Sequence, residues 1–143
     1  MQRGRFTPGS QPPPTDRLPP GYLQRGYFDS AGNILPEVIV DWPRTLANSL
    51  ARKRMKAAQV RRFFNEVRRL EARLRAGAAF AALRSDILKL DSYAENAVKR
   101  GNAPPLFREF ISKNLGWATR DEKHFDAFVQ HFECLIGYYP ETR

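Results

Sequence analysis

Residues 57–76 read AAQVRRFFNEVRRLEARLRA. At 100° per residue, Val60, Phe63, Phe64, Val67, Leu70 and Leu74 fall within an arc of about 120°. Arg61, Arg62, Arg68, Arg69, Arg73 and Arg75 fill the opposite side across about 160°. Apolar residues recurring at three and four predict an amphipathic helix about 30 Å long. One side of that rod must be covered by other apolar elements. The other side is studded with guanidinium groups.

The charge extends upstream of this helix. From Arg44 to Arg75 there are eleven basic residues against two acidic ones, Glu66 and Glu71. That excess equals the net charge of the whole chain, +9, so the residues on either side are balanced. So local an excess is the electrostatic footprint of a polyanion partner. A solvated helix face normally mixes signs and forms i,i+4 pairs, and here only Glu66 and Glu71 are at hand in sequence. Nucleic acid is the leading partner class, ahead of an acidic protein and an anionic lipid surface. The run Arg52-Lys53-Arg54-Met55-Lys56 is read either as a loop that wraps a phosphate or as the cationic end of a preceding helix. Four cations in five residues exceed what a helix end needs, and this favours the first reading.

Four further helical patterns flank the central one. Pro36 opens a helix carrying Val38, Ile39, Trp42, Leu46 and Leu50, with Pro43 confined to its first turn or kinking it. Gly77 ends or pinches the central helix. Phe80, Leu83, Ile87, Leu90, Ala94 and Val98 mark a third helix over 79–100, and Gly101 supplies its stop. Asn102-Ala103-Pro104-Pro105 starts a fourth with Leu106, Phe107, Phe110, Ile111 and Leu115, stopped near Gly116. Thr119-Arg120-Asp121-Glu122 reads as a capping box for a fifth with Phe125, Phe128, Val129, Phe132, Leu135 and Ile136. No segment alternates with period two. The expected fold is all-α, a compact bundle of about five helices over 34–143 behind a flexible leader over 1–33. Residues 1–20 of that leader hold six of the eleven prolines and read as disordered. Tyr22, Tyr27 and Phe28 either stack on unpaired bases or pin the leader to the bundle, and pinning is the favoured reading. Trp42, Trp117 and Tyr138 are expected in the core.

Composition excludes several classes. A chain of 143 residues that is 42% hydrophobic buries one ordinary core. One cysteine, Cys134, leaves no internal disulfide and suits a reducing cytoplasm. No apolar run is long enough to cross a membrane, and the N-terminal stretch lacks the apolar core of a secretory signal. There is no glycine-rich phosphate loop, no zinc-protease motif and no nucleophile elbow, so no catalytic residues and no cofactor are expected. His124, His131 and Cys134 share a side of the last helix, but a metal would need a fourth ligand that does not project to the same point.

Several stretches together resemble a known family. Tyr27-Phe28-Asp29 with Gly32-Asn33, and then Gln59-Val60-Arg61-Arg62-Phe63-Phe64, are similar to the front half of the small-subunit family of type III-A CRISPR effector complexes. Leu88-Lys89-Leu90 with Tyr93-Ala94, and Phe128-Val129-Gln130-His131-Phe132-Glu133-Cys134-Leu135-Ile136-Gly137-Tyr138-Tyr139, resemble its second half. The resemblance implies a non-enzymatic RNA-binding protein present in several copies in an antiviral ribonucleoprotein. Its partners would be guide RNA and target RNA, the large subunit, the repeated backbone subunits and copies of itself, with no membrane. It would contact the nucleic-acid backbone without reading sequence, and strand cleavage would belong to other subunits. The family's basic positions carry over to Arg61 and Arg62. Charge alone adds Arg52, Lys53, Arg54, Lys56, Arg68 and Arg69 to the expected RNA-binding set. The alternatives are a basic all-α DNA-binding protein and an adaptor docking on an acidic protein.

Overall fold

The computed structural model describes residues 16–140. The expected disorder of 1–20 therefore lies largely outside the described residues. Among those described, regular structure is entirely helical: α1 (Pro36–Ile39), α2 (Asp41–Arg52), α3 (Ala57–Arg75), α4 (Phe80–Lys99), α5 (Pro105–Ala118) and α6 (Glu122–Tyr138). Five long helices and one extra helical turn make up the all-α bundle that the periodicity predicts.

The extra turn arises from Pro43. A proline donates no hydrogen bond to the carbonyl four residues back, here Ile39, and its ring crowds that carbonyl. The first helical pattern accordingly splits at Val40, leaving α1 as a four-residue turn and Pro43 in the first turn of α2. α3 ends where Gly77 takes φ +109, with Gly77 N–H donating to the Leu74 carbonyl and Ala78 N–H to that of Arg73. That paired closure is the left-handed helix stop for which glycine is suited.

Two expected boundaries move. α5 does not stop near Gly116 but runs to Ala118, whose side chain is fully buried. Thr119 then closes α5, its hydroxyl donating to the Leu115 carbonyl at 2.7 Å, and is not free to cap the next helix. Asp121 caps α6 instead, accepting the His124 N–H at 2.8 Å. The Thr119–Glu122 capping box is thus replaced by an Asp cap two residues on.

α6 is the centre of the bundle and packs against α1, α2, α3 and α5, while α4 covers α5 and α3 from outside. Its Phe125, Phe128, Phe132 and Leu135 are fully buried. Phe132 meets Phe110 of α5 edge-to-face at 5.3 Å and Phe64 of α3 at the same distance. Phe63 meets Phe107 of α5 at 4.8 Å. Edge-to-face packing sets the positive ring edge on the negative face and adds to area burial. The apolar stripe of α3 is thus sealed by α5 and α6, which turns the arginine side outward.

Tyr22, Leu23 and Tyr27, within the stretch read as leader, are buried in the core. Between them, Gly26 takes φ +75 against the Trp117 ring, where a Cβ would stand 2.8 Å from ring carbon. Asp29 then folds the chain back, its carboxylate accepting N–H groups of Ala31 and Asn33 at 2.9 Å each.

A buried polar chain fastens this stretch to the helices. His131 Nδ1 donates to the Val38 carbonyl, so Nε2 is left as an acceptor for the hydrogen bond that the Tyr22 hydroxyl donates at 2.7 Å. Asn114 Nδ2 donates to the Tyr22 oxygen and to the Phe110 carbonyl, both at 2.8 Å. Tyr27 donates to Asn114 Oδ1 at 2.7 Å. Every polar atom of this chain has a partner, which is the condition for burying such groups without large cost.

Candidate nucleic-acid interface

The loop between α2 and α3 is held from beneath. Met55 is buried within its basic run, and its carbonyl accepts the hydroxyl of Tyr139 at the end of α6. Anchored at Met55, the loop leaves Arg52, Lys53, Arg54 and Lys56 exposed. Arg54 holds φ +72. Its N–H donates to the Ala51 carbonyl and that of Met55 to the Leu50 carbonyl, the same closure that Gly77 makes after α3. An arginine therefore occupies a position where glycine is favoured, at a cost of about 1 kcal/mol. Strain of this kind clusters at functional sites.

On α3, Arg61, Arg62, Arg68 and Arg69 are all exposed. They differ in what neutralises them. Arg69 is bonded to Glu66 at 2.8 Å, which raises its pKa through that hydrogen bond and charge. Arg68 reaches Glu71 at 3.1 Å and Glu133 of α6 at 4.0 Å. Arg75 bridges Glu71 and Asp126, and Arg73 meets Asp86 of α4 at 2.9 Å. Hydrogen bonds from Arg73 and Lys89 hold the Asp86 carboxyl below its ordinary range. The expectation that only Glu66 and Glu71 could pair is thus corrected. Packing of α4 and α6 beside α3 brings Asp86, Asp126 and Glu133 to its C-terminal half, which linear spacing does not reveal.

The N-terminal half is different. Lys53 pairs with Asp16 at 2.6 Å. Among the described residues, no carboxylate lies in ion-pair range of Arg52, Arg54, Lys56, Arg61 or Arg62. The eight sequence-selected cations therefore separate into two groups. Five are unneutralised, at the α2–α3 loop and the first turns of α3. Lys53, Arg68 and Arg69 are already engaged. Exposed ion pairs are weak, so the engaged three can exchange partners at little cost.

Other sequence candidates resolve into structure. Tyr22 and Tyr27 are buried and hydrogen-bonded, so neither ring is open to a base. Phe28 lies partly buried against the core, with Lys123 over its ring at 4.5 Å. Trp42, Trp117 and Tyr138 sit at the core's edge, partly buried, with Arg120 over Trp117 at 3.7 Å and Arg44 over Tyr138 at 5.1 Å. Both ring nitrogens of His131 are taken, and burial lowers its pKa to about 4. His124 bonds Asp121 at 2.7 Å. Among the described residues, no cluster of three or more histidine, cysteine or acidic side chains is placed to hold a metal ion. Nor is any described helix long and apolar enough to cross a membrane.

Sequence reasoning missed the strained backbone of Arg54. The apolar Met55 set inside a basic run was its one visible signal, since such helix closures favour an apolar residue just after the left-handed position.

Residues 36–141 match the family model described as Csm2 Type III-A. No curated protein and no solved structure matches the chain at a significant level.

Proposed function

This chain belongs to the Csm2 Type III-A family and is a small subunit of a type III-A CRISPR complex; from that premise we propose that it is a non-catalytic subunit holding RNA by its backbone. The residues that do this are Arg52, Arg54, Lys56, Arg61 and Arg62, with Lys53, Arg68 and Arg69 flanking them. The observation that carries the reading is the unneutralised cation strip on a rigid support. Five exposed cations with no carboxylate partner repel one another, and a row of phosphates relieves that repulsion. Each phosphate engaged releases condensed counterions, and this drives binding without regard to base identity. Sequence-blind contact is what a subunit needs if it must serve any guide and any target.

Affinity per copy is then modest, and several copies along one RNA gain strength by effective concentration. Guide and target RNA, the large subunit and the backbone subunits are the partners in this reading, and the cytoplasm is its place of action.

A salt titration of binding to random-sequence single-stranded RNA tests it. With five phosphates engaged, the log–log slope should be about −3.5, a loss of about a hundredfold between 50 and 200 mM salt. Arg61→Glu/Arg62→Glu removes two contacts, and the slope should fall to about −2. Binding that ignores salt, or a charge-reversed protein that binds as wild type does, refutes the assignment. A footprint on one duplex DNA sequence over scrambled competitors would favour a DNA-binding role.

A further inference from the structure

Between α3 and α4 lies an open groove of about 340 Å³, at the lower end of the range that small-molecule sites occupy. On the α3 side, Gln59, Arg62 and Phe63 line it; on the α4 side, Tyr93, Asn96 and Arg100 do. Phe63 forms an apolar floor, fixed edge-to-face on Phe107. Tyr93 is 47% exposed, a large ring left half in solvent on a helix whose neighbouring core positions are sealed. Among the described residues, it takes part in no hydrogen bond and no ring contact. Among the described residues, Arg62 and Arg100 likewise lack a carboxylate in ion-pair range, whereas Arg69 and Glu66, which also line the groove, engage each other.

A bare phosphate would need only the two guanidiniums and would leave the exposed Tyr93 ring unused. A nucleotide uses all of it. We propose that the groove holds one unpaired nucleotide of a single-stranded RNA, its base stacked on Tyr93 and its flanking phosphates on Arg62 and Arg100. The side-chain amides of Gln59 and Asn96 border the base edge. An amide both donates and accepts, so it tolerates any base, and the site stays sequence-blind. A tyrosine platform is equally tolerant because every base has a π-face. Arg62 belongs both to the phosphate strip and to this groove, so the strand would pass from the α2–α3 loop along α3 and turn one base inward. The inference rests on the RNA-binding reading above.

The test compares an oligouridylate with a same-length abasic ribose-phosphate chain, both binding the full chain in fluorescence anisotropy. Wild type should prefer the base-bearing strand by about tenfold, the contribution of one stacked base. Tyr93→Ala should bind the two strands alike, with the salt slope unchanged because no phosphate contact is lost. Tyr93→Phe should keep the preference. The site is exposed, so folding should survive both changes, which circular dichroism checks. Equal, salt-steep binding of both strands by wild type overturns the nucleotide groove while the backbone reading stands, and leaves the groove to a protein contact. A preference that survives Tyr93→Ala overturns it too, because the base then stacks elsewhere. Failure of wild type to bind either strand overturns the RNA reading and the groove with it.

Discussion

Replacing Arg54 with glycine should make the protein more stable and its grip on RNA weaker. The backbone there has φ +72 at the residue after the α2 cap, with its N–H bonded to Ala51 and the next N–H to Leu50. A side chain with a Cβ pays about 1 kcal/mol or more in that region, and glycine does not. Allowing for glycine's greater freedom when unfolded, the net gain is about 0.5–1 kcal/mol, a rise in Tm of about 2–4 °C for a chain of this size. Binding moves the other way. Arg54 is exposed and free of carboxylates, so its loss removes one phosphate contact. The salt slope should shrink by about 0.7, and affinity at 0.1 M salt should drop about fivefold. Arg54→Ala separates the two effects, since it loses the charge but keeps a Cβ in the left-handed region. It should bind as weakly as the glycine variant with no gain in Tm. Thermal melts followed by circular dichroism and salt-titrated anisotropy read both quantities. A glycine variant no more stable than wild type would refute the strain argument, and unchanged affinity and slope would refute the phosphate contact.

Two further outcomes follow from the buried polar chain and the turn above it. His131 is neutral when folded, its pKa held at about 4 against an ordinary 6.5. Between those values the unfolded chain binds more protons, so this contribution is present above pH 6.5 and lost as pH falls toward 4. From pH 7 to pH 5 the loss is about 2 kcal/mol, read as a lower urea midpoint. His131→Asn retains a donor for the Val38 carbonyl but does not titrate, and its midpoint should not fall over that range. Asp86 and Asp121, whose carboxyls are held low by hydrogen bonds from Arg73 and His124, contribute their loss below the ordinary carboxylate range, outside this window. Asp41, pushed up by burial, acts in the opposite sense and is common to both proteins. An equal pH slope in the two would sink the assignment to His131. At the turn, Gly26→Ala places a Cβ 2.8 Å from the Trp117 ring at φ +75, and should cost about 2 kcal/mol or more. Gly21→Ala has a similar φ, +72, with nothing nearer than 4.0 Å, and should cost about 1 kcal/mol. Equal costs at the two glycines would show that the ring yields.

The apolar stripes of α3, α4, α5 and α6 were legible because period 3.6 marks a one-sided helix wherever its partner lies. The stops at Gly77 and Gly101 were legible because a left-handed helix end favours glycine. Arg54 was not, because arginine is a residue type that does not announce a left-handed position, and the apolar Met55 after it was the one sign of the closure. The capping residue of α6 was misjudged for a related reason: Thr119 suits either role by type, and only its hydrogen bond to Leu115 assigns it to the end of α5. Of the aromatic residues, Tyr22 and Tyr27 proved buried. The exposed ring, Tyr93, lies in a helix whose pattern does not single it out.

The sequence by itself determined the helix content, the outward arginine face and the concentration of charge between Arg44 and Arg75, because each is a property of local spacing and composition. It also carried the family, through patterns that keep their order along the chain. Tertiary structure decided the neutralisation that local pairing with Glu66 and Glu71 along α3 does not account for. Asp86, Asp126 and Glu133 lie far from the arginines in sequence and reach them only when α4 and α6 pack beside α3. Charge interaction falls off with distance in space, not along the chain. Which cations are left without a carboxylate is therefore set in part by the fold, and the charge itself is written in the sequence.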